Sequence, residues 1–341
     1  MGARGFANQR GWLRRSLRNG RSAWGPGSPD DSLIVGARQT DSPGLGVFEQ
    51  TRMFFDKATG AFRAGSTTGT QWDTLATTST AFGSNNSAAA TDSFASGTGQ
   101  VISSAATQAA AFGNANSVTA VGGFTAGAGN TVATNNYGSA FGQSNSVTGF
   151  ANFAAGYQNT VTGNSNAGNA AIGYGNSSTG NCALATGNFS SATRSYQRSH
   201  AAGQFAAAGD AQMTRFVSRV STSNGTATEL GLDGSTAYIT IANTRTMSFH
   251  IKIAAHRTDV SGTAAAWPQI FGAITRDSSG NCRLLGSVTG AGTTTLSDAG
   301  GATWSVAVTA DSANNRLAIT VTGEAAKTIR WVAVTEMAEV G

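Results

Sequence analysis

Charge is scarce in this chain. Asp, Glu, Lys and Arg make up 11% of 341 residues, less than half the roughly 25% of an average globular protein. Between Gly65 and Thr193 there is no Lys or Arg, and the only acids are Asp73 and Asp92. A nucleic-acid binder needs a basic track along its working surface, so the long middle excludes that class in spite of a net charge of +5. The positive charge is concentrated at the start, where Arg4, Arg10, Arg14, Arg15, Arg18 and Arg21 precede the first acid; such a run reads as a solvated arm. Cysteine is nearly absent as well. Cys182 and Cys282 stand a hundred residues apart, which excludes the dense disulfide framework of small secreted domains and leaves two unpaired thiols. No apolar run approaches the ~20 residues that span a bilayer, which speaks against membrane insertion. The opening MGARGF lacks the apolar stretch of a signal peptide, and Phe6 occupies the place where a myristoylation motif has Ser or Thr. Assembly in a reducing cytoplasm is the expectation.

What fills the space is small. Glycine accounts for 45 residues, about twice the usual share, yet 40% of the chain is hydrophobic, unlike a disordered segment. The stretch AAFGNANSVTAVGGFTAGAGNTV (110–132) has the composition of a flexible linker but not its randomness. A pattern of small residue, any residue, glycine recurs with its glycine at Gly83, Gly97, Gly113, Gly127, Gly142, Gly156, Gly173, Gly187 and Gly203, in steps of 14 to 17. Asn follows three later at Asn86, Asn116, Asn130, Asn145, Asn159 and Asn176, and Val or Ala follows five later at Ala88, Val118, Val132, Val147, Val161 and Ala192. A slack linker has no reason to keep such a count.

About 14 residues suit one coil of a narrow β-solenoid, with two short strands and two tight turns where Asn and Gly take positive φ. Side chains alternate sides along a strand, so the alanine two before each glycine points into a core too thin for leucine. Phe82, Phe112 and Phe141 follow the small residue in alternate coils, and Phe94, Phe124 and Phe153 precede it in the others. All six share a parity opposite to the alanines. Their combined period of about 30 leaves a wider three-sided β-helix as a rival geometry. Six outward rings gain about 1.5–3 kcal/mol each on burial, which neighbouring copies can supply, so a homotrimer through this face is expected. Tyr137, Tyr157 and Tyr174 are candidate stacking platforms for glycan.

The AFG-x-x-N-S-V and A-x-G repeats over 80–205 resemble the head repeats of trimeric autotransporter adhesins of the YadA type, and equally the rolls of bacteriophage tail fibres. The resemblance implies an all-β protein with a parallel, left-handed β-roll shaft. FFDKATGAFRAG running into TQWD resembles the entry module of such phage fibres, and AKTIRWVAVTEMAEV (326–340) resembles the last strand of phage tail knobs. The expected organisation is a basic arm (1–31), a small β module for virion attachment and solenoid capping (32–79), β-roll repeats (80–192), a neck (193–212) and a C-terminal antiparallel β-sandwich, jelly-roll-like knob (213–341). In that last block Met247, Phe249, Ile251 and Ile253 alternate with polar residues, as do Trp304, Val306 and Val308, and about eight strands are expected. The implied function is a structural and receptor-binding component of a phage virion, assembled in the host cytoplasm. Its N-terminal region would dock on tail, baseplate or capsid proteins, and its knob would hold host surface polysaccharide. A capsid fibre, a fragment of a bacterial adhesin and a glycan depolymerase are the alternatives.

Catalysis is not expected. A glycan-cleaving site needs two carboxylates about 5–10 Å apart, and the repeats offer Asp92 and then nothing until Asp210. The carboxylates of the knob, Glu229, Asp233, Asp259, Asp277, Asp298, Asp311, Glu324, Glu336 and Glu339, read as solvated loop groups. His250 and His256 share one strand face but lie roughly 20 Å apart, too far to share a metal. No cofactor is implied.

Overall fold

A computed structural model describes residues 33–36, 51–72, 75–134, 136–163, 168–259, 262–293 and 296–341. The basic arm expected at 1–31 lies outside them. The described chain is almost entirely β, with a solenoid of about 10 turns and a C-terminal antiparallel region. It divides into two compact units, Met1–Ser146 and Val147–Gly341.

In the first unit, Leu33–Gly36, Arg52–Asp56 and Ala61–Ser66 pair antiparallel. Asp56 and Gly60 close the turn between the last two: the Gly60 N–H reaches the Asp56 carbonyl at 2.8 Å, and Gly60 takes a φ of +71°. From Ala61–Ser66 onward every pairing in this sheet is parallel, through Thr80–Ser84, Phe94–Thr98, Ala110–Asn114, Phe124–Ala128 and Ser139–Gln143. A second parallel sheet of two- and three-residue strands stacks alongside, Ser87–Ala88, Val101–Ile102, Ser117–Val118 and Thr131–Ala133. Each lap of about 14 residues therefore contributes one strand to each sheet, and the three-sided rival with one turn per 30 residues is excluded. Laps stack at about 4.8 Å. Ala81, Ala95, Ala111 and Ala140 are fully buried, as are Ala88, Ile102 and Val118; the core is one small side chain deep from each sheet.

The second unit opens with the same construction. Phe153–Tyr157, Ala170–Tyr174, Leu184–Asn188 and Arg198–Ala201 stack in parallel, beside Thr160–Thr162, Ser177–Ser178 and Ser191–Ala192. The segment 193–212, expected as a neck, supplies the last parallel rung and the start of the next sheet: Arg198–Ala201 pairs antiparallel with Ala211–Thr222. That strand leads a sheet in which Ile329–Val340, Arg245–Arg257 and Ala264–Arg276 follow in space. The chain's final strand is therefore interior to its sheet. A second antiparallel sheet is built on Ser305–Asp311 and Arg316–Thr322, with short strands Thr228–Glu229, Ile239–Thr240 and Gly292–Thr293 added. Phe249, Ile251, Trp267 and Trp331 of the long sheet share one core with Val306, Val308, Leu317 and Ile319 of the shorter one and with Trp304, which makes this region a sandwich. Trp331 touches both other tryptophans, at ring distances of 5.7 and 5.6 Å. The alternation read from 247–253 and 304–308 is the alternation of this core.

Candidate functional site

The repeat is a hydrogen-bonding device before it is a surface. Gly113 takes a φ of +111°, and a Cβ placed there would lie 2.1 Å from the carbonyl oxygen of Gly127 on the next lap. Only glycine allows that approach. The inclined carbonyl of Gly127 accepts from Asn116 Nδ2 at 3.0 Å, which also donates to Phe112 O at 2.8 Å. Asn116 Oδ1 in turn accepts the backbone N–H of Asn130 at 2.9 Å. The same set recurs at Asn86, Asn130, Asn159 and Asn176, and Asn145 repeats it toward Phe141 and Asn130. Gln100 occupies the asparagine position of its own lap, fully buried, with Asn116 Nδ2 donating to its Oε1.

This corrects the role expected of asparagine. The repeat asparagines are buried ladder members, and positive φ falls on the residue before each: Asn85, Ala115, Ser144 and Gln158 at +52° to +57°, and Gly129 and Gly175 at +63°. Gly83, Gly97, Gly113 and Gly127 stand opposite one another and opposite Gly142 in register, and Gly156, Gly173 and Gly187 do the same in the second unit. Gly203 does not join them. Ala201 is the partner of Gly187, because the last step is 14 residues and not 16, and a Cβ on Gly203 would meet nothing. At the other end the beat starts earlier than the pattern indicated, with Gly65 opposite Gly83.

The outer face of the long sheet carries the phenylalanines. Phe82, Phe94, Phe112, Phe124 and Phe141 pack ring against ring in unbroken succession, with centroids 5.2 to 5.8 Å apart. Phe62 extends the row at 5.3 Å from Phe82, and Phe55, opposite Phe62 in register, continues it onto the hairpin. Phe82, Phe112 and Phe141 remain 37 to 38% exposed and Phe55 41%. Stacking along the row contributes about 0.5–1.5 kcal/mol per pair, and the outward ring faces stay in water. Phe153, in the second unit, is also exposed.

The three tyrosines separate. Tyr157 and Tyr174 follow consecutive repeat glycines and stack at 5.2 Å with planes 12° apart, and Phe189 continues the stack at 4.8 Å from Tyr174. Tyr137 sits at the opposite turn of its lap, with a φ of +65°, in line with Asp92, Gln108 and Gly122, whose backbone N–H groups and its own each bond one lap back. They are not one platform.

Both ends of the stacked core receive special side chains. Arg63 stands in the alanine slot of the first rung, fully buried, donating to Ser79 O, Ser79 Oγ and Ala88 O at 2.8 to 3.1 Å. Burial brings its pKa down to about 10. Trp72, also buried, donates from Nε1 to Asn86 O at 3.2 Å and meets Phe54 edge-on. In the second unit Arg194 and Glu339 form a buried ion pair. Burial alone would raise the Glu339 pKa, but the Arg194 charge and donors from Arg194, Gln212 and Thr214 hold it below the ordinary carboxylate value.

Other carboxylates mostly organise loops. Asp210 accepts from the backbone N–H groups of Phe205, Ala206 and Ala207 at 2.6 to 2.9 Å, which lowers its pKa. Asp233 does the same for Ser235, Thr236 and Ala237. Asp259 is held at about 2 by its hydrogen bonds from Arg257. Asp277 accepts from Asn281, Asp298 from the Ala264 N–H and Glu324 pairs with Lys327. Asp311 and Glu229 both pair with Arg316, and burial raises the Glu229 pKa. Glu339 departs from the expectation of solvated loop groups. Among the described residues no group of three or more His, Cys, Asp or Glu could hold a metal, and no helix is long and apolar enough to cross a membrane.

The class this geometry defines is an all-β protein in which a glycine–asparagine solenoid runs into an antiparallel sandwich. Protein-family models, characterised proteins and solved structures provide no match to the chain.

Proposed function

We propose that the chain is a structural and receptor-binding component of a bacteriophage fibre or spike, acting as a homotrimer. The row of half-exposed phenylalanines on the solenoid carries this reading. A row of rings at one-lap spacing is a poor surface for a monomer in water and a regular seam for identical neighbours, each able to bury the outward ring faces at about 1.5–3 kcal/mol apiece. The nearly uncharged laps suit a stiff shaft that touches little else. The repeat resemblance supports placing that shaft on a virion, on tail or capsid, with the N-terminal region docked to it and the sandwich turned to host polysaccharide, where three weak sites gain by avidity. In this reading the protein binds and holds; it performs no reaction and needs no cofactor.

Light scattering of the purified full chain tests it. A trimer is expected, and the triple replacement Phe82→Ser, Phe112→Ser, Phe141→Ser is expected to yield a monomer with unchanged β circular dichroism. A monomeric wild type, or a trimer indifferent to the three replacements, overturns the assignment of the seam.

A further inference from the structure

The long sheet of the sandwich has a second face, turned away from the tryptophan core, and its chemistry differs from that of the solenoid. Register sets Arg215, Glu336, His250 and Phe271 in one row across the four strands. The His250 imidazole lies on the Phe271 ring at 4.5 Å with planes 19° apart, and its Nε2 donates to Pro268 O at 3.3 Å, fixing the ring. The register shift between Ile251 and Ile253 places that proline at a bulge, a position where a missing N–H costs no ladder bond. Phe271 remains 44% exposed.

Charge on this face is unbalanced. The outward positions of the four strands carry Arg215, Lys252, Arg219 and Arg330 against a single carboxylate, Glu336. Glu336 meets Arg215 and Lys252 only at 3.7 and 3.9 Å, and all three side chains are between 39 and 52% exposed. The four cations occupy four successive rows, each about 7 Å from the next, so they form a track of roughly 20 Å and not a single point.

We propose that this face is a binding track for an anionic polysaccharide, with Phe271 and His250 as the stacking platform for a sugar ring, the cations as partners of successive acidic groups, and Glu336 as the acceptor for a sugar hydroxyl. The proposal rests on the binding function above and gives it a location and a ligand class. A polymer of uronic acids presents what the face matches: apolar ring faces, hydroxyl donors and a negative charge on every unit. A DNA backbone, with no 2′-hydroxyl, has no donor for the central carboxylate. A second copy of the same face would set Arg215 and Lys252 against like charge, which disfavours self-pairing.

Affinity electrophoresis and calorimetry of the full chain with polygalacturonate, dextran and duplex DNA test the assignment. Polygalacturonate is expected to bind and to weaken as salt rises, while dextran binds at least tenfold more weakly. Phe271→Ala and Lys252→Glu are each expected to weaken polygalacturonate binding tenfold or more, with circular dichroism and oligomeric state unchanged. Equal binding of dextran, indifference to either substitution, tighter binding of DNA, or self-association abolished by Lys252→Glu overturns the track. Light scattering of the same samples keeps the two readings apart. A trimer that ignores polygalacturonate removes only the track, whereas a monomer removes the fibre.

Discussion

Arg194 and Glu339, 145 positions apart in the chain, form a bidentate ion pair with contacts of 3.3 and 2.9 Å, and both side chains are almost completely buried. Gln212 Nε2 and Thr214 Oγ1 each donate to Glu339 Oε2 at 3.1 Å, and Gln197 Nε2 donates to Thr214 Oγ1 at 3.2 Å. This polar cluster joins the last solenoid lap to the inward face of the first and last sandwich strands. Removing one charge strands the other in a dry site, so Arg194→Met or Glu339→Gln is expected to cost about 3–5 kcal/mol in chemical denaturation of the full chain. The double variant Arg194→Met, Glu339→Met should cost less than the two single losses combined.

The same pair sets an acid limit. Because the folded-state pKa of Glu339 is depressed, its contribution is complete above the unfolded value of about 4.3 and declines as pH falls below that toward the folded value. Stability measured from pH 6 down to pH 3 should fall more steeply for the wild type than for Glu339→Gln, which has no proton to take up at this position.

Glycine positions in the repeat differ sharply in tolerance. Gly113→Ala places a Cβ on the Gly127 carbonyl at a φ of +111° and is expected to destabilise the protein by about 3 kcal/mol or more. Gly203→Ala, where the added carbon meets nothing, should lie within about 0.5 kcal/mol of wild type. Thermal unfolding of the two variants side by side checks both.

Asn130 is bonded on two sides. Its Nδ2 reaches Asn116 Oδ1 and Gly142 O at 3.0 and 2.8 Å, and its Oδ1 receives the Asn145 N–H at 3.0 Å. Asn130→Ala leaves several buried partners unmet, at about 1–3 kcal/mol for each. Asn130→Asp, isosteric but lacking the donors, should be no milder. Hydrogen exchange at the Asn145 amide is the local readout and should accelerate in both variants.

The two thiols report on the same fold from outside. Cys182 is exposed and Cys282 buried, and burial raises the Cys282 pKa, so the reactive thiolate is disfavoured there. Native protein is expected to take up one equivalent of a thiol reagent rapidly, at Cys182, and the second only in denaturant. Mass mapping of the labelled peptide decides this.

The sequence by itself determined the coil. A glycine beat with asparagine three later and a small residue five later is a local constraint that recurs along the solenoid, with Gln100 and Ser190 in the asparagine place of two laps, because each lap meets the previous one in the same way. Alternation at 247–253 and 304–308 likewise records a one-sided core within a few residues of chain. Spacing alone assigned asparagine to the turn, whereas contact between laps decided that it lies inside: the turn needs a positive φ, which Ala115 or Gln158 can also take, but the inclined glycine carbonyl needs an amide donor. Gly203 and Ala201 are indistinguishable by composition and were separated by register. Arg63 escaped the pattern because it is not small; in the alanine slot of the first parallel rung its guanidinium is held by Ser79 and the Ala88 carbonyl. Phe55 and Phe62 lie before the repeat and join the aromatic row through an antiparallel hairpin, while Tyr137 leaves its expected companions because its lap carries it at the other turn. Arg194, Glu339 and the row from Arg215 to Phe271 are assembled from strands far apart in the chain. Nothing local constrains such residues toward one another; only the closing of the sheets brings them within reach.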